Sequence, residues 1–213
     1  MKVWTLVAGV VAVCAMAVWA QERRDLNLRG NRFAPLTWET LNADQKTMVN
    51  ELLAGSRTSL NGPFNVLLRS PDMGNITQKL GEYLRFRTTV PRRLNEMAII
   101  MTAGAWTSQY EWYAHKTLAL EAGLSASVVD DIQAGRRPTG MKPDETVIYD
   151  FCTELRTKHR VSDATFASAK SLLGERGVVD LIGVMGYYDI ISMVLNVDRY
   201  PLPQPGPLPF QEP

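Results

Sequence analysis

The sequence predicts an all-α protein, a bundle of about seven to nine helices with no β-sheet. Three observations support this fold class. Apolar residues recur at helical spacing between about residues 42 and 196, and residues typical of helix starts and stops divide that stretch into segments. No hairpin dipeptide stands between alternating apolar runs. With 213 residues, of which 46% are hydrophobic and 21% charged, the chain has enough apolar side chains for one core.

The helix boundaries follow from capping residues. Asn42 and Gln45 form a capping-box pattern at the start of the first helix, which ends before Gly55. Pro63 and Pro71 occupy positions where proline favours a helix start. The expected segments are, in order, 42–54, 63–68, 70–86, 91–106, 108–122, 125–135, 143–159, 163–173 and 178–196. The fourth is almost wholly apolar, so it is predicted to be a central helix buried on all sides.

The two ends of the chain differ from this helical domain, which spans 37–199. Residues 1–20 contain Lys2, an apolar run and a Val-x-Ala ending, which together predict a cleaved signal peptide and a secreted or periplasmic protein. The alternative is an uncleaved membrane anchor, because the run is close to the shortest length that spans a bilayer. After cleavage, no membrane contact is expected. Residues 21–36 are predicted to be an extended arm. Residues 200–213 hold six of the twelve prolines and are predicted to be an extended tail that packs on a neighbour or stays loose.

Charge and cysteine content argue against two classes of function. The formal net charge is +1 and no basic stripe is present, so no nucleic-acid partner is expected. Cys14 lies in the predicted leader, which leaves Cys152 as the one cysteine of the mature chain. Neither an internal disulfide nor CxxC redox chemistry is then available. Cys152 stands in an apolar helical context and is expected to be buried.

Candidate catalytic residues stand on two consecutive predicted helices. Glu111 and His115 are one helical turn apart and interrupt an apolar stripe that continues through Ala119. Because an ionisable group is costly to bury alone, these two should contact each other or a ligand. Glu96 interrupts the preceding apolar helix. If the two helices pack antiparallel across the bend near Trp106, Glu96 approaches the same turn.

Each of these residues also has a structural interpretation. Ser108 and Glu111 match a capping box at the start of their helix. His115 could be a satisfied core histidine, and Glu96 could pair with Arg92 or Arg93. One histidine with two carboxylates is a poor zinc set, so no metal site is predicted.

Several short motifs together resemble the carboxymuconolactone decarboxylase family, whose members include lactone decarboxylases and AhpD-like alkylhydroperoxidases. The likeness extends over residues 31–202, and its specificity lies in the order and spacing of the motifs. The matching pieces are Gly62-Pro63-Phe64, Leu84-Arg85-Phe86, Arg92-Arg93-Leu94-Asn95-Glu96, Tyr110-Glu111-Trp112 with His115, 119–125 and Gly186-Tyr187-Tyr188. The resemblance implies an AhpD-like helical bundle and a homo-oligomer, a trimer or hexamer.

The resemblance also implies a reaction. In the peroxidase branch a CxxC occupies the positions of Ser108 and Glu111, so thiol peroxidase activity is disfavoured and the decarboxylase-like branch is favoured. That branch implies a cofactor-free lyase acting on a small carboxylated lactone or β-keto acid. His115 would then donate or shuttle a proton with Glu111 and Glu96 as its partners. Among the arginines, Arg85 is the first choice for a substrate carboxylate.

Other substrate contacts and other functions stay open. Ser108 and Trp112, on the same helix as His115, are the remaining expected substrate contacts. One alternative is an isomerase or hydrolase that uses the same acid–base pair. Another is a non-catalytic exported binding protein in which Glu111 and His115 are simply a buried pair. A solvent-connected cavity where Glu96, Glu111 and His115 meet would favour an enzyme.

Overall fold

The structure, a computed structural model, describes residues 24–211, so the predicted signal peptide at 1–20 lies outside the described residues. Within that range the chain forms eight α-helices and no strand, which confirms the predicted all-α class. A short 3-10 helix, Trp38–Thr40, precedes them. The helices are α1 (Ala43–Ala54), α2 (Phe64–Leu67), α3 (Pro71–Phe86), α4 (Arg92–Ala105), α5 (Gln109–Glu121), α6 (Ala126–Gln133), α7 (Pro143–Lys158) and α8 (Asp163–Asp198).

The predicted helix starts and stops agree with the structure. At α1 the Asn42 side chain accepts a hydrogen bond from the Gln45 backbone at 2.9 Å, and the Gln45 side chain accepts one from the Asn42 backbone at 2.9 Å. The last two predicted segments join into the single helix α8. Gly174 interrupts it with φ of 69° and ψ of 173°, a backbone conformation that glycine adopts without steric penalty. The predicted gap between residues 173 and 178 marks this break.

Helix α4 lies at the centre of the bundle, as predicted. Its residues 94–100 are all buried, and it packs against α5, α6, α7 and α8. A tight turn at Trp106 and Thr107 leads directly into α5, and Thr107 takes the left-handed conformation with φ of 45°. The chain therefore reverses within a few residues, and α4 and α5 pack along each other. This hairpin positions the candidate catalytic residues.

Both ends of the described chain lie on the helical domain. Asp198, at the end of α8, accepts hydrogen bonds from the backbone of Asn31 at 3.1 Å and of Phe33 at 2.8 Å. In the tail, the backbone of Phe210 forms two hydrogen bonds with the Gln109 side chain, at 2.8 and 2.9 Å. The Phe210 ring meets Trp112 edge-on with centroids 5.2 Å apart. The tail thus packs on its own chain rather than staying loose.

Helix α8 is long and apolar. Its 36 residues include an 18-residue window with a mean hydropathy of 1.7, so by length and composition it could cross a membrane. In the fold, 56% of that window is buried inside the protein. Helices at the core of water-soluble proteins also have this composition, so the window by itself is weak evidence for a membrane span.

Candidate active site

Glu96, Glu111 and His115 meet in the interior of the protein. The His115 Nδ1 atom lies 2.6 Å from Oε2 of Glu96 on α4, within hydrogen-bond distance. Its Nε2 atom lies 3.1 Å from Oε1 of Glu111, one turn earlier on α5. The imidazole therefore stands between two carboxylates, one on each side of the ring. The expected approach of Glu96 to the Glu111 and His115 turn is present.

The structure excludes two of the structural interpretations. Ser108 is the N-cap residue of α5, but its side chain makes no capping hydrogen bond and its buried hydroxyl has no partner. Arg93 forms its ion pairs with Asp144 and Glu145, and Arg92 lies 3.9 Å from Glu121, so neither arginine pairs with Glu96. The carboxylate of Glu96 therefore has His115 as its partner.

Burial and the neighbouring carboxylates shift the pKa of His115 in opposite directions. The exposed fractions are 6% for Glu96, 4% for Glu111 and 3% for His115. Burial disfavours the charged imidazolium, which alone would lower the pKa of His115. The contacts with Glu111 and then with Glu96 outweigh burial and raise that pKa above its ordinary value of 6.5. Protonated His115 can donate through both ring nitrogens, as two neighbouring carboxylates require. In its protonated form a histidine can act as a general acid.

One side of this cluster faces a cavity of about 420 Å³. Glu111 and His115 line the cavity, whereas Glu96 does not and stands behind the imidazole. Arg85, the arginine expected to hold a substrate carboxylate, also lines it. Volumes of this order accommodate small metabolites. The acid–base pair and a guanidinium group therefore share one chamber.

The other two expected substrate contacts are placed elsewhere. Ser108 and Trp112 are fully buried and do not line this cavity. Trp112 belongs to a second apolar cluster, where its neighbours include Met97 and Val128 and where it meets the Phe210 ring of the tail. On a helix, residues 111 and 112 point about 100° apart, so the side that carries Glu111 and His115 turns Trp112 away.

The cavity also contains residues that were not singled out as candidate site residues. Arg57, in the loop between α1 and α2, lines it together with Tyr187 and Tyr188 of α8. The Tyr188 ring stands edge-on to the His115 ring with centroids 5.1 Å apart. Two adjacent tyrosines in an apolar helix were a detectable signal. A single loop arginine, far away in the chain, was not.

Two further cavities lie apart from this site. One, of about 390 Å³, has a mainly apolar lining from α4, α6 and α7, and its Arg156 is already paired with Asp189 at 2.9 Å. The other, of about 680 Å³, follows the proline-rich tail. Among residues 24–211, no group of three or more His, Cys, Asp or Glu side chains is arranged to hold a metal ion. Of these three cavities, the one at His115 contains an acid–base pair.

Comparison with models of known protein families finds no match to this chain. Comparison with curated proteins finds no match either. The functional interpretation therefore depends on the residues and on the geometry of the site.

Proposed function

We propose that this protein is a cofactor-free lyase of the carboxymuconolactone decarboxylase type, which removes carbon dioxide from a small carboxylated lactone or β-keto acid by acid–base chemistry. One observation carries the proposal. His115 stands between two buried carboxylates at the wall of a cavity of about 420 Å³ that also contains two arginines. A purely structural histidine has no need of a solvent-connected chamber beside it.

The proposed reaction matches what these side chains can do. When the bond to the substrate carboxylate breaks, its electron pair stays on the substrate as an enolate and carbon dioxide leaves. The enolate needs nearby positive charge and then a proton. Protonated His115 supplies that proton from Nε2, either directly or through Glu111, which lies 3.1 Å from Nε2 and lines the cavity. The next proton from solvent then restores the imidazolium.

Glu96 has a different part in this scheme. Because its carboxylate lies at Nδ1 and outside the cavity, it orients the ring and favours the charged form without touching the substrate. Arg85 lines the chamber, and its positive charge attracts the substrate carboxylate into it. In this proposal His115 and Glu111 are catalytic residues and Glu96 is a positioning residue.

Carbon dioxide release tests the proposal directly. Purified protein is incubated with a panel of carboxylated lactones and β-keto acids, and carbon dioxide is measured for the wild type, His115→Ala and His159→Asn. The second histidine, His159, is exposed at the end of α7 with φ of 57°, a conformation that asparagine tolerates. We expect His115→Ala to release carbon dioxide about 10²–10⁴-fold more slowly than the wild type. His159→Asn should keep it. Undiminished turnover in His115→Ala, with its helical circular dichroism intact, would contradict the proposed role.

The same panel separates the alternatives. Consumption of a lactone without carbon dioxide release would indicate a hydrolase or isomerase that uses the same residues. Binding without any turnover would indicate an exported binding protein. Thiol peroxidase activity stays disfavoured, because Cys152 is buried and burial raises the pKa of its thiol to about 12.

Export and self-association belong to the same proposal. Secretion or transport to the periplasm rests on the leader-like pattern at 1–20. Self-association is supported by an exposed apolar stripe on α8, formed by Val179, Ile182, Ile190, Met193 and Val197. The number of copies, three or six, follows from the family resemblance alone. In this proposal a second copy of the chain covers the stripe, as the family resemblance implies. Light scattering coupled to size-exclusion chromatography should show an oligomer that Ile182→Lys weakens, and a monomeric wild type would remove this inference.

A further inference from the structure

Two hydrogen-bond donors at the candidate active site have no partner in the protein. They are the hydroxyl of Tyr188 and the Nε–H group of Arg57, and both atoms are buried. Both residues line the cavity that contains His115. A buried donor without an acceptor destabilises a fold by roughly 1–3 kcal/mol, so two of them at one cavity call for an acceptor that residues 24–211 do not supply.

The Tyr188 hydroxyl is suited to be a permanent donor. The side chain is only 2% exposed, and burial raises the pKa of its phenol well above the ordinary value. The phenol therefore keeps its proton at any physiological pH. Its ring packs against the His115 ring with centroids 5.1 Å apart, which places it beside the acid–base pair.

Nothing in the described part of the chain accepts a hydrogen bond from the Nε–H group of Arg57. The guanidinium group lies over the Phe64 ring, 5.0 Å from the centroid, and one terminal nitrogen is 3.5 Å from the Tyr187 hydroxyl. No carboxylate pairs with Arg57 among the described ion pairs of residues 24–211, although carboxylates are its usual partners. An arginine edge with a free Nε–H matches the two oxygens of a carboxylate.

We propose that Arg57 and Tyr188 form an anion subsite, in which the Arg57 edge binds the ligand's carboxylate and the Tyr188 hydroxyl bonds a separate carbonyl or enolate oxygen. The inference rests on the proposed function, because it assigns the substrate groups recognised in the same cavity. The ligand class is a small organic anion that carries both groups. In the proposed reaction, Tyr188 would stabilise the enolate oxygen that forms when carbon dioxide leaves.

Three related compounds test the subsite by calorimetric binding. The first, 5-oxotetrahydrofuran-2-carboxylate, carries a carboxylate and a lactone carbonyl; tetrahydrofuran-2-carboxylate lacks the carbonyl, and γ-butyrolactone lacks the carboxylate. The wild type should bind the first compound about tenfold more tightly than either of the others, since each missing group removes one hydrogen-bonded contact. Equal affinity for all three, or no binding of the first, would overturn the subsite.

The variants assign each contact to its residue. Tyr188→Phe should weaken the first compound about tenfold and leave tetrahydrofuran-2-carboxylate unchanged, whereas Arg57→Gln should weaken both carboxylates. Tyr113→Phe and Arg92→Gln are the matched controls, because both residues are exposed and neither lines the cavity. Since the Tyr188 hydroxyl has no partner in the protein, Tyr188→Phe should not lower the free energy of unfolding. A loss of stability with unchanged binding would show a structural hydroxyl and refute the assignment.

Failure of the subsite can be distinguished from failure of the proposed function. Selective binding without carbon dioxide release would support the subsite and refute the lyase. Carbon dioxide release that Tyr188→Phe and Arg57→Gln leave unchanged would support the lyase and refute the subsite.

Discussion

The wall of the candidate active site depends on a close approach between α3 and α8. Gly81 of α3 faces Tyr187, and a Cβ atom at position 81 would lie 2.8 Å from Cε2 of that ring and closer still to Cζ and the hydroxyl. Tyr187 is 3% exposed and lines the cavity, so its ring has little room to move. Gly81→Ala therefore tests whether the wall is built as described.

Two opposing effects determine the magnitude of this change. Alanine in place of glycine inside a helix stabilises by about 1 kcal/mol. Overlap with a buried ring destabilises by roughly 1–3 kcal/mol, and overlap with several ring atoms favours the upper end. The balance is a loss of about 2 kcal/mol in the free energy of unfolding. For a domain of this size that corresponds to a fall in Tm of about 4–8 °C.

Gly186→Ala is the matched control, because it lies inside α8 and a Cβ there meets no atom within 4 Å. This variant should raise the free energy of unfolding by about 1 kcal/mol and Tm by about 2–4 °C. Urea and thermal unfolding followed by circular dichroism measure both variants. Two protein concentrations separate any effect on self-association, since Gly186 lies beside the exposed stripe of α8. If Gly81→Ala proved as stable as Gly186→Ala, the Tyr187 ring would not lie against α3, and the cavity wall described above would be wrong.

Three further predictions concern single buried groups. Because Cys152 is buried with its thiol pKa raised to about 12, a thiol-specific reagent should modify it only after unfolding by urea; rapid labelling of the native protein would contradict its burial. Burial opposes ionisation of Asp180, but hydrogen bonds from the end of α3 and the following loop prevail and lower its pKa below 3.8. The ionised Asp180 therefore stabilises the fold above pH 3.8, and this stabilisation is lost as the pH falls through its lowered pKa. Asp180→Asn should lower the free energy of unfolding by about 2 kcal/mol at neutral pH, and urea titrations should show a weaker dependence of stability on pH in acid. The raised pKa of His115 has the opposite effect on stability. Its stabilisation of the fold is complete below pH 6.5 and is lost as the pH rises through the pKa of His115 in the folded protein. If the free energy of unfolding of His115→Asn fell with rising pH as steeply as that of the wild type, this linkage would be excluded.

The sequence predicted the helices well because their signals are local. The capping box at Asn42, the prolines at helix starts and the apolar run of α4 each determine structure within a few residues. The acid–base cluster was also accessible, because Glu111 and His115 are one turn apart and Glu96 stands on the adjoining helix of a tight hairpin. In these cases periodicity alone identifies the face that each side chain occupies.

The rest of the site could not be predicted in this way. Arg57 reaches the cavity from a loop, where no periodicity fixes the direction of a side chain. Trp112 was expected beside the substrate, but helical rotation and the docked Phe210 ring place it in an apolar cluster. Contacts between residues far apart in the chain depend on how helices cross, which a sequence pattern does not determine.

The α4–α5 hairpin has a consequence for the order in which this protein assembles. Glu96 and His115 are 19 residues apart, and the bend that joins their helices is very short, so bringing them together requires little loop-closure entropy. The wall that carries Tyr188 comes from α8, much later in the chain. Its contacts with the earlier helices join residues that are far apart in sequence, and such contacts form slowly. We therefore expect the proton-handling groups to meet early during folding, and the chamber that would select a ligand to close around them last.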